Sequence, residues 1–164
     1  MANIHINIGS NQNREENIAT AIDMLRFNFS QLEISDIFES PAQGFEGDDF
    51  LNLGVNATTD LNIEDTKKVL KNIEDKIGRD RNQPKFSART IDLDLVLYDS
   101  VIDESENLPR DDILKYAFVL APLAQLSATA IHPLENCTYQ SLWQAFQTDN
   151  SFELLQYNNN QIIK

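Results

Sequence analysis

Between Arg89 and Leu97 the chain reads Arg-Thr-Ile-Asp-Leu-Asp-Leu-Val-Leu, and its apolar and polar residues alternate. A period of two belongs to a strand with one buried face and one face turned to solvent or ligand. It sets Ile91, Leu93, Leu95 and Leu97 on one side and Asp92 and Asp94 on the other. Same-face neighbours on a strand stand roughly 6.6–6.8 Å apart, so the two carboxylates share one rigid surface. Like charges at that spacing repel unless something positive lies between them. A divalent cation meets this need, and oxygen ligands suit Mg²⁺. Carboxylates, metal and the arginines just upstream together suggest phosphoryl transfer from a nucleotide. The plainer alternative is the solvated face of an amphipathic strand.

The rest of the chain sets the frame for that strand. A length of 164 residues suits one domain around one core, and the 41% hydrophobic content can build it. No apolar run approaches the roughly 18 residues of a membrane helix. The start, Met-Ala-Asn-Ile-His, lacks the basic-then-apolar pattern of a signal peptide. Cys137 is the single cysteine, so no intramolecular disulfide forms, and a reduced, cytoplasmic setting is expected. A net charge of −13 argues against nucleic acid or an anionic membrane as partner. The same charge repels polyphosphate at long range, but from Arg79 to Arg89 four positive charges, Arg79, Arg81, Lys85 and Arg89, stand against one negative, Asp80. Charges are felt over roughly 8–10 Å at ordinary salt, so such a cluster can outweigh a distant acidic surface. Its alternative is a solvated loop.

Periodicity orders the elements. Ile4, Ile6 and Ile8 mark a short strand, closed by a turn at Gly9-Ser10-Asn11. A helix follows with Ile18, Ala21, Ile22, Leu25 and Phe29 on its inner stripe. Residues 32–38 read as one strand, and Phe50 to Thr58 as the next, with a loop from Ser40 to Asp49 between them. Asn62 is placed to cap a second helix, Glu64 and Asp65 suit its first turn, and Gly78 ends it. The Asp92/Asp94 strand closes a β-α-β-β-α-β order. This is an α+β, ferredoxin-like core: an antiparallel sheet with helices on one face and the other face open to a ligand. Ala117 to Ala128 and the segment around Trp143 and Phe146 read as extra C-terminal helices, and the tail from Tyr157 is expected to fray. His5 and His132 share no metal-ligand spacing and are expected to be structural or solvated.

Five segments in this order resemble the 6-hydroxymethyl-7,8-dihydropterin pyrophosphokinase family. They are Ile8-Gly9-Ser10-Asn11, Ser40-Pro41 through Phe50-Leu51-Asn52, Gly78-Arg79-Asp80-Arg81, the run Arg89-Thr90-Ile91-Asp92-Leu93-Asp94 and, more weakly, Ala117 to Leu123. The resemblance spans about Ile4 to Pro133. It implies transfer of pyrophosphate from ATP to a hydroxymethyl pterin, with AMP as the other product. It also implies two Mg²⁺ ions held by Asp92 and Asp94. Carried over by position, Arg79, Arg81 and Arg89 contact the triphosphate or close a loop over it, with Arg79 and Arg89 joining the two aspartates as catalytic candidates. Arginine suits that work because its planar fork meets two phosphate oxygens at once. Glu74 matches a nucleotide-side position, its alternative being an exposed helix carboxylate. On the pterin side stand Ser40, Pro41, Phe50, Asn52, Phe86 and Phe118, of which Phe50 and Phe118 taken singly read as core.

This chain departs from the family pattern in its loops. Phe86-Ser87-Ala88 replaces Trp-Gly-Pro, Arg110 replaces a histidine and remains a nucleotide-side candidate, and Tyr116 replaces an arginine, with Lys115 beside it as a partial substitute. Gln43 replaces an apolar pterin-side residue. The metal-type pair is intact. An active, monomeric ATP- and pterin-binding enzyme is therefore expected, the alternative being a catalytically altered or inactive pterin- or nucleotide-binding paralogue.

Overall fold

The computed structural model describes residues 1–41, 49–78 and 91–157. In chain order the elements are β1 (Ala2–Ser10), α1 (Arg14–Asn28), β2 (Ser30–Ile34), β3 (Ile37–Ser40), β4 (Phe50–Thr59), α2 (Ile63–Ile77), β5 (Asp92–Tyr98), α3 (Ala117–Leu126), α4 (Tyr139–Asp149) and β6 (Leu155–Tyr157). Every strand pairing among them is antiparallel, in the order β5-β1-β4-β3-β6, with β2 also on β4. This is the expected α+β, ferredoxin-like arrangement with one added edge strand.

Alternation decides what lies on each face. Ile4, Ile6 and Ile8 of β1, Leu51, Leu53, Val55 and Ala57 of β4, and Leu93 and Leu95 of β5 are all buried in one cluster with Ile18, Ile22 and Leu25 of α1 and Leu70 and Ile73 of α2. Burying each such side chain contributes roughly 1.5–3 kcal/mol. Helix α2 forms where expected: the Asn62 side chain accepts from the Asp65 N–H at 2.8 Å, and Gly78 ends it with φ +103°.

Four sequence expectations need correction. The strand expected over 32–38 is two strands, because Ser35 turns its own hydroxyl into the ladder. Its Oγ accepts from Gly54 N–H at 2.8 Å while its N–H donates to Gly54 O at 2.9 Å. The turn expected at Gly9 and Ser10 is ladder instead, since Gly9 pairs with Asn52 and Ser10 with Leu51. Leu97 does not share a face with Leu93 and Leu95. Ile6 faces Leu95 but His5 faces Leu97, so Val96 is the extra residue of a β-bulge that reverses the alternation beyond it. Tyr157, expected to fray, pairs with Ile37, and its hydroxyl reaches Glu15 Oε1 at 2.6 Å.

The second sheet face is only partly open. Helix α3 crosses the end where Gly54 lies, and a β-carbon added to Gly54 would stand 2.9 Å from Pro122 Cβ. Val96, Ile113, Val119, Leu120, Leu123 and Tyr139 form a second core there. The opposite end, around Gly9, is left for chemistry.

Candidate active site

Strand register builds the site. Gly9, near the end of β1, faces Asp92 on one side and Asn52 on the other. Asn7, two residues away on the same face, lies between Asp94 and Gly54. Asp92 and Asp94 are both half-buried and precede the bulge, so they share the face that Asn52 occupies. Two strand spacings, roughly 9–10 Å, separate the acidic pair from Asn52. Gly9 is required between them, because a β-carbon there would fall 2.9 Å from Asn52 Oδ1 and 3.9 Å from a Phe50 ring carbon.

Beyond Gly9, three of the pterin-side candidates, Ser40, Phe50 and Asn52, come together. Asn52 is 3% exposed and donates from Nδ2 to Ser40 Oγ at 3.0 Å. Ser40 pairs with Phe50 across β3 and β4. Pro41 follows it and is exposed. Arg14, the first residue of α1, clasps both stems of the intervening segment. Its Nη1 donates to Glu39 Oε2 at 2.6 Å and to Asp49 O at 2.8 Å. Phe118 stands on the first turn of α3, partly buried, its ring stacked on Tyr116 with centroids 5.0 Å apart.

Glu74 is not the exposed carboxylate that its helical position allowed. It is 6% exposed, and its Oε2 accepts from the Leu93 N–H at 2.8 Å. That N–H belongs to the residue between the two aspartates, on the outer edge of β5. Arg110 sits beside the pair. Its own N–H donates to Val96 O at 3.0 Å, and its guanidinium meets Asp112 Oδ2 at 2.9 and 3.2 Å. Burial works against its charge, yet the negative charge of Asp94, and then of Asp112 and Asp111, outweighs burial and raises its pKa. Lys115 is engaged elsewhere, paired with Asp111 Oδ2 at 2.8 Å. Arg79, Arg81, Phe86 and Arg89, with Gln43, Ser87 and Ala88, lie outside the described residues.

The histidines are structural, as expected. His5 is fully enclosed, and its Nδ1 is 2.6 Å from Asn56 Oδ1. Asn56 uses its amide nitrogen on Ser127, so its oxygen accepts and the His5 proton sits on Nδ1. His132 Nδ1 accepts from the N–H groups of Leu134 and Glu135, both at 3.1 Å. Sequence reading missed Asn7 and Arg14. Asn7 carried a signal, since it is an amide in the middle of an isoleucine strand, in phase with the glycine of Gly-Ser-Asn.

Comparison with known proteins agrees with this geometry. The family model for 7,8-dihydro-6-hydroxymethylpterin-pyrophosphokinase (HPPK) matches residues 5–128. A 2-amino-4-hydroxy-6-hydroxymethyldihydropteridine pyrophosphokinase from Aquifex aeolicus is 31% identical, covering 93% of this chain and 95% of its own. The enzyme of that name from Bacillus subtilis is 34% identical, covering 74% of this chain and 76% of its own. A Plasmodium falciparum HPPK-DHPS crystal structure shares the fold, with a TM-score of 0.66 at 12% identity, over 90% of this chain and 44% of that one. An acidic pair on a ferredoxin-like sheet, a family match over most of the chain and near full-length enzyme relatives thus lead to one conclusion: the chain belongs to the HPPK family and transfers pyrophosphate from ATP to 6-hydroxymethyl-7,8-dihydropterin in folate synthesis.

Proposed function

We propose that the two ends of the Asp92-Gly9-Asn52 row divide this reaction between them, with nucleotide and metal at the acidic end and pterin at the amide end. The row itself carries the reading: one unsubstituted glycine joins a half-buried carboxylate pair to a buried polar pair, Asn52 and Ser40.

The donor set fits Mg²⁺. Among the described residues no cluster of three or more His, Cys, Asp or Glu side chains could enclose a metal. Mg²⁺ is commonly held by one or two carboxylates, with substrate phosphates and water completing its shell. Asp92 and Asp94 would hold two such ions. Bound there, Mg²⁺ supplies positive charge against the phosphate oxygens.

The chain's own residues then do the placing. Glu74 fixes the Asp92–Leu93 peptide and so steadies the strand that carries both side chains. Arg110 adds a permanent positive charge beside Asp94, and Arg79, Arg81 and Arg89 meet the triphosphate. Phe118 and Phe50 offer aromatic surface to the pterin, with Phe86 as a further ring and Ser40 and Pro41 lining the edge. Asn52 supplies both a donor and an acceptor to the pterin rim. The hydroxymethyl oxygen bonds to the β-phosphorus of ATP, the bond from that phosphorus to the α-phosphate oxygen breaks, AMP leaves, and the hydroxyl gives up its proton. Alignment and electrostatics carry most of the rate.

The reading includes a cytoplasmic monomer with no nucleic-acid or membrane partner. The charge of −13 disfavours nucleic-acid and anionic-membrane partners, and the lone cysteine fits a reduced compartment. The test is AMP release with authentic pterin, with and without Mg²⁺. Asp92→Ala and Asp94→Ala are each expected to lower turnover roughly a hundred- to thousandfold, the scale of several kcal/mol of lost charge stabilisation. Near-normal turnover in both variants rejects the assignment.

A further inference from the structure

Pro122 lies inside α3, four residues after Phe118. It has no N–H, so the helix cannot supply the usual donor to the Phe118 carbonyl. A side chain from the sheet supplies it instead. With its amide nitrogen turned toward the two nearby carbonyls, Asn7 donates to Phe118 O and to Leu53 O, each at 3.2 Å. Asn7 is 5% exposed and stands in register between Asp94 and Gly54. Pro122 itself rests on Gly54, where no side chain intervenes. One amide on β1 therefore fixes the backbone of the residue that carries the aromatic ring.

We propose that Asn7 is a positioning residue for the pterin, holding the first turn of α3 so that the Phe118 ring keeps one distance from the Asp92/Asp94 strand. The inference rests on the reading of Phe118 as a pterin-facing ring. Asn7 touches no substrate. It acts through a hydrogen bond that the helix lost at Pro122, and the same side chain bridges to β4 through Leu53. The acidic pair and the ring are thereby referred to a common strand, β1.

The experiment measures KM for pterin, KM for ATP and kcat in Asn7→Leu, Phe118→Leu and Pro122→Ala, and in the Asn7→Leu/Pro122→Ala double variant. Asn7→Leu keeps the forked shape at a somewhat larger volume and removes the donor. It is expected to raise the pterin KM roughly tenfold, the ratio that one buried hydrogen bond of ordinary strength produces, with the ATP KM moved less than about twofold. Pro122→Ala gives the helix its own N–H for Phe118 O, so Asn7→Leu in that background is expected to raise the pterin KM much less. Asn7→Ser, which keeps a polar group at the position, is run in the same way in case Asn7→Leu does not fold. If Phe118→Leu raises the pterin KM and the Asn7 variants do not, the Asn7 inference falls while the Phe118 reading stands. If Phe118→Leu has no effect, the Phe118 reading falls and takes the inference with it. Equal effects on both substrates, or an equal effect with and without Pro122, reduce Asn7 to a general packing residue and overturn the proposal.

Discussion

The Glu74 carboxylate on α2 accepts the N–H of Leu93 at 2.8 Å, and so holds the first of the two peptides that link Asp92 to Asp94. The bond closes a donor on the outer edge of β5 that the ladder leaves open. Removing it strands a buried N–H, which costs about 1–3 kcal/mol. Glu74→Ala is expected to lower the melting temperature by several degrees, since 1 kcal/mol shifts a domain of this size by roughly 2–4 °C. It should also raise the Mg²⁺ concentration needed for half-maximal turnover. Glu74→Gln, which keeps an acceptor oxygen, should recover most of both. Calorimetry and a Mg²⁺ titration check this, and an unchanged Mg²⁺ requirement in Glu74→Ala would separate the helix from the site.

Gly9 should tolerate no side chain. Its added β-carbon would lie 2.9 Å from Asn52 Oδ1, and Asn52 is held in place by Ser40. Overpacking of this kind costs about 1–3 kcal/mol. Gly9→Ala is expected to raise the pterin KM more than the ATP KM, because the displaced group belongs to the amide end of the row. Steady-state kinetics with each substrate varied in turn will decide it.

Arg14→Ala should loosen both stems of the 42–48 segment at once. The arginine bridges Glu39, next to Ser40, and Asp49, next to Phe50, with both ion-pair partners only partly exposed. Its guanidinium also lies over the Tyr157 ring at 5.5 Å. Solvent at these positions limits the stability loss to about 1 kcal/mol. The larger effect is expected in the pterin KM, a several-fold rise. Both bonds leave one nitrogen, so Arg14→Lys, whose ammonium carries three donors, should recover part of the loss.

Mild acid should destabilise the fold through His5. Desolvation by burial, only partly offset by the Asn56 hydrogen bond, lowers its pKa from 6.5 to about 4. The unfolded chain therefore binds a proton more readily, and the stability from a neutral His5 is complete above pH 6.5 and drains as pH falls toward 4. Burial lowers the pKa of His132 as well, which acts in the same direction. Between pH 7.5 and 5 the loss from His5 is about 2 kcal/mol. Urea unfolding at the two pH values measures it, and His5→Gln should flatten the dependence.

Much of this was readable beforehand, and the failures have physical causes. Alternation in β1, β4 and β5 located the sheet, its core face and the shared face of Asp92 and Asp94. The Asn62 and Gly78 signals bounded α2 closely, because caps are local chemistry. Leu97 was misplaced because a bulge at Val96 depends on the register with β1 and leaves no mark in a single strand. The 32–38 strand was read as whole because the break comes from a serine hydroxyl meeting a glycine N–H 19 residues away. Glu74 borders the apolar stripe of its helix, four residues after Leu70 and three before Ile77, so periodicity left its burial open, and a donor on the edge of β5 settles it. The cover that α3 lays over half of the second face arises from Pro122 against Gly54, a fit between distant segments.

Two strands near the rim of the sheet, β3 and β5, have their open backbone groups met. Along β3 the three residues of β6 occupy the open ladder, and along β5 the Glu74 carboxylate and the Arg110 N–H meet backbone groups on the rim. Unguarded rims recruit strands from other molecules. On the β5 side the guards are also candidate ligand-side groups, so damage there should register as clumping of the protein as well as lost catalysis.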